Sequence, residues 1–249
     1  MQDCSAPPAR AAAAGRAALA GPDAASKLPP MQVPSVVPVM TLGNAILFPQ
    51  SMLPLYIFEP RYRRMLADVL AGGRLFAVAL RRGQGRRDLP AHVAGLGLVR
   101  ACVTRPDGTA HLILQGLARV RLGRVVRYRP YRLHEIHPLP PAGQSNLVVQ
   151  ALSCRVLELA KARLQQGQFH FAQPQPDGAG TAPLNLEAFE QALEQLAELD
   201  DAEQLTDLVS ATLLRDPRQR QLILETPRLE DRLRFLVRFL QDEPAAADF

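Results

Sequence analysis

Apolar positions along this chain change period near residue 145. Before it they come in short bursts or strict alternation, the signature of strands; after it they recur every three or four residues, the signature of helices. "VVPVM" (36–40) and "LPLYIF" (53–58) predict short extended segments, because β-branched and aromatic residues dominate and proline bars a helix interior. Pro60 suits the first position of a helix, where its missing N–H would have had no intrahelical partner. In "RYRRMLADVLAGG" Tyr62, Leu66 and Val69 recur at helical spacing, with Met65 and Leu70 beside them, until Gly72-Gly73 ends the run. A strand is predicted at "LFAVALRR" (75–82). "LGLVRACVTR" and "AHLILQG" flank the turn Pro106-Asp107-Gly108-Thr109 and predict a hairpin. "ARVRLGRVVRY" (118–128) sets Val120 and Leu122 against Arg119 and Arg121, a half-solvated strand, and "YRLHEIHPL" (131–139) can close the sheet.

Six or seven strands with one helix define a barrel-like β lobe over residues 34–140. "PLPPAGQSN" reads as a linker by composition, and a helical bundle is expected over 145–241. Its stripes are Val148, Leu152, Val156 and Leu159, with Gly167 as a C-cap; Leu186, Phe189, Leu193 and Leu196; Leu205, Leu208, Val209 and Leu213, led by Asp200 and Asp201; and Leu229, Leu233, Leu236, Val237 and Leu240. Asp216-Pro217 and Thr226-Pro227 each pair a capping residue with a proline at the first helical position. A polar Pro/Gly insertion (168–183) separates the first two helices, and no repeat at a solenoid period is visible.

With 249 residues, 47% of them hydrophobic, the chain can bury a sizeable core, and no window approaches a membrane span. Residues 1–33 read as a disordered, Ala- and Pro-rich tail; Arg10 and Arg16 break any apolar stretch of a secretory signal, and a transit peptide is the alternative. Cys4, Cys102 and Cys154 are an odd number without short spacing, which predicts neither a disulfide framework nor a zinc cluster and favours the cytoplasm. Residues 1–140 hold 19 Lys+Arg against 7 Asp+Glu and the remainder 10 against 17, so the net +5 divides into +12 and −7. That division supports two lobes and makes the first a candidate for an anionic partner.

Lysine occurs only at positions 27 and 161. Neither follows a Walker A loop, and Lys161 sits mid-helix in "LELAKARL", a solvated position rather than a partner for a nucleophile. His134-Glu135-Ile136-His137 lacks the four-residue helical spacing of a zincin, and on a strand its two histidines point to opposite faces. The acidic residues concentrate on helix faces among arginines. No catalytic residue, cofactor or metal site is predicted, and the expectation is a protein without enzymatic activity.

The stretch "VPVMTLGNAILFPQSMLPLYIFEPRYRRMLADVLAGGRLFAVAL" resembles the start of the substrate-binding N-terminal domain of Lon proteases, especially its stand-alone bacterial version. The matching features are the Phe48-Pro49 corner and the segment Leu53, Pro54, Leu55, Ile57, Phe58, Glu59, Pro60, Arg61 and Tyr62. "PDGTAHLILQGLARVRL" is similar to the family's central hairpin and "RPYRLHEI" to its late strand. Gln221-Leu222-Ile223-Leu224-Glu225 stands at the family's Gln-x-Leu-Leu-Glu position, so the resemblance runs from about 34 to 241. It implies an α+β fold, a PUA-like β-barrel lobe with one helix followed by a C-terminal helical bundle. It implies recognition of other proteins without the ATPase and protease modules of a full Lon protease, and no catalytic residues to carry over.

Leu47, Phe48, Met52 and Leu53 are the contact candidates for unfolded or apolar protein segments, since Met and aromatic side chains suit adaptable recognition. Filling the β-lobe core is the competing role for the same four. An adaptor role in proteolysis or quality control, beside an ATPase or protease partner, follows from the resemblance. The rival reading is RNA binding by Arg81, Arg82, Arg86, Arg87, Arg119, Arg121, Arg124, Arg127 and Arg129. Single-strand binding interleaves aromatics with cations, however, and aromatics make up only 5% here with no Trp.

Overall fold

The computed structural model describes residues 33–83, 89–140, 142, 146–165, 186–199 and 201–242. The described residues from Pro34 onward form one compact unit. Its strands are β1 (Val36–Leu42), β2 (Met52–Ile57), β3 (Leu75–Arg82), β4 (Leu89–Pro90), β5 (Val93–Thr104), β6 (Ala110–Arg127) and β7 (Arg132–Pro138), with helix α1 (Pro60–Leu70) after β2. Five strands close a ring: β1 pairs β7, β7 pairs β6, β6 pairs β5, β5 pairs β3, and β3 returns to β1 in the one parallel pairing among the described strands. β2 is added outside the ring on the first half of β6, and β4 on the end of β3.

The expected strands 110–116 and 118–128 are one 18-residue strand. β6 serves three neighbours, β2 and β5 with its first half and β5 and β7 with its second, and register shifts mark where it bends. A strand that changes partners within its length bends without breaking, because irregularities increase local twist.

The helices are α2 (Leu147–Gln165), α3 (Leu186–Glu198), α4 (Ala202–Leu213), α5 (Pro217–Glu225) and α6 (Leu229–Asp242). Asp201 caps α4 by accepting from Gln204 N–H, and Asp216 caps α5 by accepting from Arg218 N–H. Thr226 departs from its expected capping role. It ends α5, its hydroxyl donates to the Leu222 carbonyl, and α6 begins only at Leu229. In the α2 stripe Val156 is buried and Leu152 and Leu159 pack against the core as expected, but Val148 is exposed and Val149, Ala160 and Leu164 face inward as well. Gly167, the 168–183 insertion and Asp200 lie outside the described residues.

Two apolar cores result. In the first, Tyr62, Met65, Leu66 and Val69 of α1 pack on Met40, Leu55, Phe76, Val99 and Leu114 of the barrel. In the second, the helices gather around Phe189, Val209, Ile223, Leu233 and Leu236 and reach barrel residues Leu80, Ala91 and Val93.

Candidate functional site

Pro49 bends the segment between β1 and β2 and withdraws a donor from it, and the 43–51 stretch crosses the barrel as a corner instead of pairing as a strand, whereas Pro54 lies within β2 opposite Ile113. Room for the corner comes from glycines on the strands beneath. A Cβ on Gly95 would lie 2.0 Å from the Leu47 carbonyl oxygen, and one on Gly116 would lie 1.9 Å from that of Phe48. Two backbone hydrogen bonds clamp it there, Gln50 N–H to the Gly116 carbonyl at 2.9 Å and Gly116 N–H to the Ser51 carbonyl at 2.8 Å. Leu47 enters the barrel core and Phe48 the core shared with the helices. Adjacent residues of one corner thus belong to different cores, which makes the corner the joint between barrel and bundle.

Of the four contact candidates, Leu47, Phe48 and Leu53 are buried in this conformation, and Met52 is exposed at 45%. Strand geometry separates Met52 from Leu53, because successive side chains of β2 alternate between faces. Met52, Pro54 and Tyr56 turn outward and Leu53, Leu55 and Ile57 inward. The register extends the outward face across three strands: Pro54 stands opposite Ile113 and Tyr56 opposite His111 on β6, and Ile113 and His111 stand opposite Ala101 and Val103 on β5. Tyr56 stacks on His111 at 4.6 Å and on Phe58 at 5.8 Å between ring centroids. Phe58, Val103 and Ile113 are exposed as well, Met52 itself standing opposite Gln115. Beyond β6, β2 has no strand partner among the described residues. The sequence already carried this face as the alternation Met-Leu-Pro-Leu-Tyr-Ile, but only pairing shows which neighbours complete it.

The arginines of the β lobe divide. Arg119 is buried and forms ion pairs with Asp207 and with Glu203 at 3.2 Å, and Arg232 of α6 reaches the same Glu203 at 2.9 Å. Two guanidiniums and two carboxylates therefore balance one another between β6, α4 and α6. Burial pushes the Asp207 carboxyl up to about 6, against the pull of Arg119 and Arg232, and burial lowers Arg119. Arg124 pairs with Glu135 at 2.6 Å on the surface. Arg86 and Arg87 lie outside the described residues. Further ties across the joint are Gln221 Nε2 donating to the Val93 carbonyl at 2.9 Å and Arg220 donating to the Asn44 carbonyl at 3.1 Å.

His134 is buried with Nδ1 at 3.2 Å from the Gly123 carbonyl, and His137 is exposed, as alternation on a strand requires. No group of three His, Cys, Asp or Glu among the described residues could hold a metal ion. Lys161 is exposed beside Glu194 at 3.8 Å. No described helix is long and apolar enough to cross a membrane.

The described residues form a closed PUA-like barrel carrying a helical bundle, an α+β fold. The model of the ATP-dependent protease La (LON) substrate-binding domain matches residues 36–242, and the chain belongs to that family. It is 28% identical over 219 residues to the Lon protease of Roseiflexus castenholzii, covering 86% of this chain and 25% of that protein. To Lon protease 2 of Herpetosiphon aurantiacus it is 28% identical over 211 residues, 83% of this chain and 24% of that one. The N-terminal domain of Mycobacterium avium complex Lon protease shares the fold with a TM-score of 0.64 at 18% identity, over 84% of this chain and 100% of that domain. The Lon N-terminal domain protein from Xanthomonas campestris gives 0.54 at 20%, over 82% and 98%. The chain spans about a quarter of the length of the curated relatives it matches. Both of these solved structures are Lon N-terminal domains.

Proposed function

We propose that this protein is a non-catalytic recognition module that binds exposed apolar segments of other proteins in the cytoplasm, as an adaptor for proteolysis or quality control beside an ATPase or protease partner. The observation that carries the reading is the outward face of β2, β6 and β5, along which Met52, Ile113, Val103 and Phe58 are exposed and Tyr56 stacks on His111. Soluble domains rarely leave contiguous apolar surface without a use. The free edge of β2 adds backbone donors and acceptors to which an extended segment can pair while its side chains meet that face. Of the four contact positions, Met52 meets a client directly, and Leu47, Phe48 and Leu53 act by holding the corner and strand that present it.

Met52→Asp places a charge on the face without touching either core. It is expected to abolish capture of a chemically unfolded client while the circular dichroism spectrum stays native. Substituting Arg81, Arg82, Arg86 and Arg87 by Ser is expected to leave capture nearly intact. Salt between about 50 and 200 mM should change capture little, since apolar burial rather than counterion release drives it. Capture that survives Met52→Asp and collapses with the arginine set, or with salt, overturns the reading.

A further inference from the structure

Three of the chain's four tyrosines, Tyr62 of α1 and Tyr128 and Tyr131 before β7, line one cleft. It has a volume of about 420 Å³ and lies where the start of α1 and the approach to β7 meet on β1. Its walls include Arg61, Tyr62, Tyr128, Arg129, Tyr131 and Arg132, and no acidic residue lines it. Three tyrosines and three arginines therefore stand together at one place, although the aromatic content of the chain is low.

The tyrosines are not equivalent. Tyr62 is buried, and its hydroxyl donates to the Thr41 carbonyl at 3.2 Å and accepts from Thr41 N–H at 3.1 Å, so it is a fixed wall. Its ring carries the Arg61 guanidinium at 4.5 Å. Tyr131 is buried too, donates to Asp68 at 2.7 Å, and carries the Arg127 guanidinium at 4.7 Å. Tyr128 is 67% exposed and stacks on no ring or guanidinium among the described residues. The arginines differ in the same way. Arg61 is paired with Glu59 at 2.8 Å, whereas Arg129 and Arg132 have no ion-pair partner among the described residues. The cleft thus offers one open aromatic platform beside two uncompensated guanidiniums, and each guanidinium presents a planar fork of donors that matches phosphate oxygens.

We propose that this cleft is a nucleotide-binding site, in which Tyr128 stacks on the base and Arg129 and Arg132 hold the 5′-phosphate, the nucleotide being either free or part of a single strand. The volume lies in the range of small-ligand pockets, roughly 300–1,000 Å³. Two unpaired cations match the charge of one phosphomonoester, about −1.5 to −2 at neutral pH. The site is separate from the apolar face of β2, β5 and β6 in the residues it uses, so either can fail without the other.

The full chain is titrated calorimetrically with adenosine monophosphate, adenosine and inorganic phosphate, and by fluorescence anisotropy with a labelled single-stranded oligonucleotide of roughly 12 nucleotides. Saturable binding of the monophosphate is expected, with adenosine and phosphate each at least about 10-fold weaker, because each retains only half of the recognition. Tyr128→Ala should weaken binding by about 5- to 100-fold, the scale of one lost base–aromatic stack, and Tyr128→Phe should keep it within about 2-fold. Arg129→Ala and Arg132→Ala should each cost about 10-fold or more, as charge-assisted phosphate contacts do. Unchanged thermal unfolding of these variants ties the losses to the site. An oligonucleotide binding far tighter than the monophosphate, with a steep salt dependence, assigns the site to a strand; equal affinities assign it to the free nucleotide. Failure of both probes to saturate by about 5 mM, binding that survives Tyr128→Ala and Arg132→Ala together, or phosphotyrosine binding tighter than the monophosphate overturns the proposal.

Discussion

Gly116→Ala tests the joint between barrel and bundle. The added methyl would sit 1.9 Å from the Phe48 carbonyl oxygen, 2.9 Å from its carbonyl carbon and 3.3 Å from Leu47 Cγ. The nearest atom is backbone, so no rotamer change relieves the clash, and the corner must retreat by about 1 Å to reach even the closest tolerated Cβ contact of 3.0 Å. Overpacking of this kind costs about 1–3 kcal/mol. Retreat also stretches both hydrogen bonds that clamp Gly116 to Gln50 and Ser51, at about 1 kcal/mol each. The expected loss is therefore about 3–5 kcal/mol, a large share of a stability of roughly 5–15 kcal/mol. Urea unfolding followed by circular dichroism would show the midpoint falling by more than about 1 M. Gly43→Ala is the control: a Cβ there meets nothing within 4 Å, and its stability should stay within about 0.5 kcal/mol of the parent. A Gly116→Ala variant within about 1 kcal/mol of the parent would mean that the corner is not seated on β6 as described.

Two further outcomes follow from the charges. Glu59 precedes α1 in extended geometry, but its carboxylate accepts from Arg61 Nε at 2.8 Å and caps no helix N–H. Glu59→Ala should thus lower stability by only about 0.5 kcal/mol, read as a small shift in thermal unfolding; lost client capture at unchanged stability would make it a contact residue instead. Asp207 titrates near 6 in the fold against 3.8 for an ordinary aspartate, so the folded state binds its proton more tightly. Its contribution is fully present below about pH 4 and is lost as pH rises through 6, a span worth up to about 3 kcal/mol. Stability measured from pH 7.5 down to 5 should include a rising component that Asp207→Asn removes, and identical pH profiles for the two proteins would contradict the burial of that carboxyl.

Local patterns were enough to place most elements. Proline at 60, the Asp216-Pro217 pair and the periods of two and near four each act within a few residues, so they write helix starts, strands and inward faces directly into the order of residues. Family membership was legible for the same reason, since the Phe-Pro corner and the segment after it are contiguous. Thr226-Pro227 shows the limit of such signals: the threonine ends α5, and α6 starts two residues beyond the proline because the linker at Ala142 pairs with Arg228 and receives the Leu229 N–H. Only the closed barrel decides that Leu47 and Phe48 belong to different cores, that Gly95 and Gly116 leave space for them, and that Arg119 of a seemingly solvated strand is buried against Asp207. The cleft of Tyr62, Tyr128 and Tyr131 was likewise invisible: residues 128–132 are contiguous, but only the fold brings Tyr62 and Arg61 of α1 beside them. These features depend on which strands pair and in what register, and pairing is settled by contacts between distant residues that no local period records.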